Sequence, residues 1–336
     1  MSDGLAGTPV VYFRSDGGRD NEEEFAACSR FFPTFRHRTD VPPGSLVIAR
    51  YSSLPYRHDL DYDLRKLGSR LANDERGHSW ITEFDWYQDL KWATPQSWFE
   101  RDFPYSDHPG PFVVKGRTNS RKRAWSTSMF AADRKAAVAV ALELAKDDMI
   151  SQQGLVYREY VPLVTFETDF TGLPITNEWR FFYWRTTELG HGYYWSSATD
   201  EAKAKARIDD DGRRLARRVA RVAAEHLTWF VVDVAEKASG GWMLVEINGE
   251  MSGPAEIPYE SLYAAWREAV DRERIIDLCD VCGVPEGEAH WYRAGGDVPC
   301  EICGKLYYDH EMDDRHVGND GTRIFHLICD GSLVKT

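Results

Sequence analysis

Ahead of position 279 the chain holds a single cysteine, Cys28. No disulfide framework can therefore brace most of its length, and 336 residues are enough to bury a core without one. Long apolar runs are missing as well, since none approaches the ~20 residues of a membrane-spanning helix. Net positive charge is missing too. Lys and Arg total 41 against 54 for Asp and Glu, a formal balance of -13, which argues against a protein that coats duplex DNA, because neutralising its phosphates takes clustered cations. Met1-Ser-Asp-Gly has neither the basic start nor the apolar stretch of a secretory signal, so a cytoplasmic protein with no membrane contact is expected. Internal repeats and low-complexity segments are absent from the sequence.

What is present centres on residues 230–248. Phe230-Val-Val-Asp-Val-Ala and Met243-Leu-Val-Glu-Ile-Asn are strand-length apolar runs flanking Lys237-Ala-Ser-Gly-Gly, which predicts a hairpin in a buried sheet. Each strand carries polar chemistry where apolar residues belong. Glu246 and Asn248 are two apart and leave one face of their strand, and Asp233 interrupts the other. Three hard oxygen ligands on adjacent strands suit a Mg²⁺ held mainly through nucleotide phosphates.

Upstream, residues 1–90 alternate expected strands (8–14, 45–51) with expected helices (21–31, 59–71), as in a small α/β domain. Arg50, at the end of the second strand, is a possible ligand contact. A linker at 91–99 leads to Pro111-Phe-Val-Val-Lys-Gly-Arg-Thr-Asn-Ser-Arg-Lys-Arg. There an apolar strand ends in Lys115, and Gly116 opens a loop bearing Arg117, Ser120, Arg121, Lys122 and Arg123. Cations so crowded repel one another unless an anion sits among them, and a polyphosphate is the obvious anion. Further helices are expected at 131–149, 209–226 and 257–275, and strands at 154–163 and 177–184. In the last of these Glu178 and Arg180 share one face.

These elements, in this order over residues about 90 to 270, resemble the ATP-grasp superfamily. The implied fold class is α+β: two α+β lobes clasping ATP (91–275), preceded by a small α/β domain (1–90) and followed by a small zinc-binding domain (276–336). The resemblance gives Lys115 to the nucleotide phosphates and Arg117, Ser120, Arg121 and Lys122 to a loop that takes the place of the usual glycine-rich flap. Glu159, Tyr160 and Val161 become the inter-lobe hinge that meets the adenine. Glu178 and Arg180 form the acid-x-arginine strand beside the transferred phosphate, and Asp233, Glu246 and Asn248 the Mg²⁺ set. The basic loop and Asn177-Glu-Trp-Arg are similar to a divergent clade of phage and bacterial proteins, which also includes a eukaryotic cell-division-cycle protein assisting assembly of translation initiation factor 2. The implied function is an ATP-dependent carboxylate–amine ligase working through an acyl phosphate, with a protein or peptide as a possible acceptor. Lys115, Arg121 and Arg180 would be its catalytic cations. The alternative is an ATP-binding assembly factor that forms no new bond.

The tail carries Cys279-x-x-Cys282, Cys300-x-x-Cys303 and His326-x-x-Cys329. In a reducing compartment such pairs read as metal ligands rather than disulfides, and any two of them make a tetrahedral zinc site. Six ligands make one site with a remainder, or two if His290, His310 or His316 joins. The spacing fits a structural zinc and marks no open catalytic position.

Overall fold

The computed structural model describes residues 8–13, 19–51, 57–280, 325–327 and 333–335. The chain divides into two units, 9–265 and a second made of 1–8 with 266–336.

The larger unit opens with β1 (Val10–Tyr12), α1 (Arg19–Cys28), β2 (Thr34–Phe35), β3 (Leu46–Ala49), α2 (Arg57–Lys66) and β4 (Arg70–Leu71). The four strands form a parallel sheet in the order β2-β1-β3-β4. Strands paired this way need crossovers and are covered on their faces, which is why Val47, Ala49, Leu60 and Leu64 are buried together. The helix expected to reach Leu71 stops at Lys66, because Gly68 takes φ +68° and turns the chain back into an edge strand.

Next come α3 (Glu75–Thr82) and α4 (Trp86–Leu90). Asp74 caps α3, its carboxylate accepting the Gly77 N–H at 2.8 Å. The sheet built from β5 (Ser97–Phe99), β6 (Phe112–Gly116), β7 (Phe130–Ala131) and β8 (Leu155–Glu159) runs β5-β8-β6-β7, all antiparallel. Within it lie α5 (Trp125–Ser128), α6 (Arg134–Leu144) and α7 (Asp148–Gln153). Residues 131–149, expected as one helix, are broken because Asp147 caps a new one, accepting from the N–H groups of Met149 and Ile150. Phe112 and Val114 pack against Ala137, Val140, Ala141 and Leu144 of α6. By the alternation of a strand, Val113 and Lys115 then leave the opposite face.

A short hairpin, β9 (Thr165–Thr168) with β10 (Pro174–Thr176), leads into β11 (Glu178–Trp184), β12 (Thr187–Tyr193), α8 (Asp200–Lys205), α9 (Asp210–Ala223), β13 (Trp229–Glu236) and β14 (Trp242–Asn248). The second antiparallel sheet runs β12-β11-β13-β14. One face, with Phe181, Tyr183, Val232, Val234, Leu244 and Ile247, packs on Ala216, Val219, Ala220 and Ala223 of α9. Gly212 permits that approach, since a Cβ there would lie 2.2 Å from Ile208 and 2.8 Å from the Trp242 ring. Trp80, Phe84, Trp86 and Leu90 join the same core, so the aromatic segment at the end of the first ninety residues packs with the second sheet.

α10 (Tyr259–Asp280) runs past the expected end at 275 and takes Cys279 into the helix. In the smaller unit β15 (Phe325–Leu327), which carries His326, pairs antiparallel with β16 (Leu333–Lys335). Cys282, Cys300, Cys303 and Cys329 lie outside the described residues. Among the described residues no helix is long and apolar enough to cross a membrane.

Candidate active site

The acid-bearing hairpin forms as expected, and its register defines the site. Arg180 lies opposite Asp233 across β11 and β13, and Asp233 lies opposite Glu246 across β13 and β14. A shift in register directly after Asp233 leaves Val245 as an extra residue, a bulge of the kind that re-aims neighbouring side chains. Arg180 grips Asp233 with two parallel hydrogen bonds, Nε to Oδ1 at 2.8 Å and Nη2 to Oδ2 at 2.7 Å. It also donates to the Gly253 carbonyl at 3.0 Å. Asp233 is 1% exposed, so this bidentate pair is desolvated and geometrically fixed.

From the other sheet, Lys115 reaches across 131 residues of sequence to bond Glu246. Arg158 on β8 leaves the same face as Lys115, since Val113 is its register partner. It donates to the Val245 carbonyl at 2.7 Å and to the Thr94 hydroxyl at 2.6 Å. Between the two sheets lies a cleft of about 860 Å³, its open mouth included. Its polar end holds Lys115, Ser120, Lys122, Arg158, Glu178 and Glu246, while Val113, Met129, Leu173 and Met243 line an apolar slot beside Glu159, Tyr160 and Val161. A flat apolar slot closed at one end by buried cations is complementary to a purine with phosphates.

Burial sets the electrostatics. It pushes the Glu178 carboxyl up to about 7, the Lys122 charge opposing this and Asp233 adding to it. One Glu178 oxygen has no hydrogen-bond partner. Burial alone would also raise Glu246, but Lys115 beside it, with Lys122 and Arg158, holds that carboxyl below the ordinary range. Burial lowers Lys115 in spite of Glu246. For Lys122 burial acts downward, yet Glu178 and Tyr194 outweigh it and the ammonium is held above its usual range.

Asp233 and Glu246 face each other with Asn248 two residues along the same strand. Among the described residues no group of three or more His, Cys, Asp or Glu side chains could hold a metal alone. Two carboxylates and an amide nevertheless fit a Mg²⁺ that arrives on phosphates and keeps most of its ligands from them.

The structure does not gather every cation of the loop. Ser120 and Lys122 line the cleft. Arg117 instead turns to Glu83 at 2.5 Å and lies over the Phe99 ring, and Arg121 pairs with Asp147 and is half exposed. Arg180 lines a second cavity of about 870 Å³, also open, together with Tyr194, Ser196, Ser197 and Gly253. Trp195 borders both cavities. Arg50 is no ligand contact: it is buried among Glu24, Tyr263 and the carbonyls of Glu250 and Ser252, and so anchors the loop after β14. Sequence reasoning missed Arg158, Tyr194 and Trp195. Arg158 was detectable, because a cation inside Leu155-Val-Tyr-Arg-Glu needs a reason to be buried.

No curated protein matches the chain by sequence. Two solved structures share its fold. One is described as the crystal structure of D-cycloserine synthetase DcsG, with 14% identity, a TM-score of 0.53, and coverage of 78% of this chain and 100% of that one. The other is a RimK domain protein ATP-grasp from Sphaerobacter thermophilus DSM 20745, with 11% identity, a TM-score of 0.51, and coverage of 78% and 98%. Residues 104–268 match the model of an ATP-grasp domain family, the third family of its clade. Through those residues, which carry Lys115, Glu178, Arg180, Asp233 and Glu246, the chain belongs to the ATP-grasp superfamily.

Proposed function

We propose that the protein is an ATP-dependent ligase that joins a carboxylate to an amine. The observation that carries this is the meeting of Lys115, Lys122 and Arg158, from the first sheet and its loop, with Glu178, Asp233 and Glu246 of the second sheet around one pocket region. Lys115, Ser120, Lys122 and Arg158 hold the phosphates, and the backbone of Glu159, Tyr160 and Val161 meets the adenine. Asp233, Glu246 and Asn248 hold Mg²⁺, which neutralises phosphate charge when bound. The acceptor lies in the second cavity with its carboxylate toward Arg180. A carboxylate oxygen attacks the γ-phosphorus, the bond to the β-phosphate oxygen breaks, and ADP leaves with the electron pair. An amine then attacks the acyl carbon and expels phosphate. The protein supplies position and fixed charge for the in-line transfer. Because the second cavity opens to solvent, the acceptor can extend beyond it, as a peptide or protein would.

The test has two stages. Calorimetry on the full chain should show binding of the non-hydrolysable analogue MgAMPPNP, abolished in Lys115→Met and kept within about twofold in Arg121→Ala, whose side chain is a solvated surface ion pair. ADP formation is then screened against pairs of carboxylates and amines. Binding without ADP formation across a broad screen would favour an assembly factor instead, and no nucleotide binding would end both readings.

The Cys279, Cys282, Cys300, Cys303, His326 and Cys329 set is proposed to bind structural zinc on its spacing alone.

A further inference from the structure

Lys122 differs from the other cations of the site. Lys115 and Arg180 are each bonded to a carboxylate. Among the described residues Lys122 makes no ion pair; its ammonium donates to the Tyr194 hydroxyl at 2.6 Å. It also lies 4.1 Å from the centre of the Tyr194 ring and 4.8 Å from that of Trp195. The same tyrosine ring has the Arg180 guanidinium 4.8 Å from its centre. Tyr194 is itself pinned, because its N–H donates to the Glu178 carbonyl at 3.0 Å, so its backbone is fixed to β11. One ring of the second sheet therefore stands against both the loop cation that lines the nucleotide cleft and the arginine that lines the other cavity.

We propose that Tyr194 is a positioning residue that latches the cationic loop to the second sheet, aiming Lys122 at the nucleotide and Arg180 at the acceptor. The proposal rests on the nucleotide reading above. A phenol suits this task better than a carboxylate. It orients the ammonium through one of its three N–H groups and leaves the full positive charge, with the other two donors, for phosphate oxygens. The ring adds attraction through its negative face to each cation, which keeps two like charges near each other without a buried counter-anion between them. Burial lowers Lys122 less than the nearby Glu178 and Tyr194 raise it, so the ammonium stays charged at neutral pH.

The experiment measures MgAMPPNP affinity by calorimetry on the full chain for wild type, Tyr194→Phe, Lys122→Met and the double variant, with melting temperatures as a folding control. Tyr194→Phe keeps the ring and removes the hydroxyl. Loss of one hydrogen bond to a charged group should weaken binding roughly tenfold, with the melting temperature little changed. In the Lys122→Met background the same substitution should have no further effect, because Tyr194 acts through Lys122; a merely structural tyrosine would weaken binding equally in both backgrounds. Equal weakening in both backgrounds, or an affinity of Tyr194→Phe within twofold of wild type, overturns the latch. Failure of the wild type to bind MgAMPPNP would overturn the nucleotide reading itself, and is distinguishable from either.

Discussion

Glu178 offers the sharpest test of the site's electrostatics. Its side chain is buried, one oxygen has no partner, and the other lies 3.4 Å from the Thr176 hydroxyl. Burial raises the carboxyl from 4.5 to about 7, with Lys122 and Arg180 opposing and Asp233 and Glu246 assisting. An acid raised in the folded state holds its proton there while the unfolded chain releases it. Its contribution to stability is therefore complete below pH 4.5 and lost as pH climbs through about 7. The window is about 2.5 pH units wide, and at 1.36 kcal/mol per unit the loss is about 3 kcal/mol. Glu178→Gln removes the titration. Urea unfolding followed by tryptophan fluorescence, without nucleotide, would be run on wild type and variant from pH 4.5 to 8. The difference between the two stability curves is the quantity to read, because any constant offset from the altered Lys122 environment cancels in it. Wild type should lose about 3 kcal/mol relative to Glu178→Gln across the window. Parallel curves, within about 1 kcal/mol throughout, would refute the claim that burial dominates this carboxyl.

Lys115→Met and Glu246→Gln should each destabilise the nucleotide-free protein by about 3 kcal/mol, since each strands a buried charge, whereas the double variant should recover most of that loss while still failing to bind MgAMPPNP. Additive losses in the double variant, measured by urea unfolding, would show that the two side chains are not a mutually compensating pair. Metal analysis of the full chain purified without chelators should find at least one zinc per chain, reduced in Cys300→Ser. A metal-free chain with unchanged stability in that variant would remove the zinc reading.

The acid-bearing hairpin was legible in the sequence because period-two alternation makes a carboxylate in a buried strand conspicuous. Asp233 and Glu246, expected on adjacent strands, are direct register partners, and Arg180 extends their row to a third strand. Lys115 was legible for the same reason, as the charged end of an apolar run. The loop behind it was not. Arg117, Arg121 and Lys122 look alike in sequence, and their separation depends on partners far along the chain: Glu83, Asp147 and Tyr194 respectively. Helix ends at 66 and 144 were missed where Gly68 and the Asp147 cap, each a single residue, overrode the hydrophobic period. Tyr194 carries no signal of its own within Gly-Tyr-Tyr-Trp-Ser, since its role comes from the two cations that the fold brings to its ring.

The resting ion pairs bear on how a buried site can accept a polyphosphate at all. Four cations, Lys115, Lys122, Arg158 and Arg180, surround the pocket region, three of them buried to 6% exposure or with side chains at most 11% exposed. Unpaired charges at that depth would cost several kcal/mol each. Lys115 is held by Glu246 and Arg180 by Asp233, and those are the two carboxylates assigned to Mg²⁺ under the proposed function. Under that assignment a magnesium nucleotide supplies anions for the cations and a cation for the carboxylates in one event. Lys115 exchanges Glu246 for phosphate as Glu246 exchanges Lys115 for metal, so neither is left desolvated and alone at any stage. Nucleotide without metal would leave Glu246 abandoned, and metal without nucleotide would leave Lys115 so. The pairing therefore favours the joint ligand over either component, a selectivity that follows from the cost of an unpaired buried charge and needs no moving part.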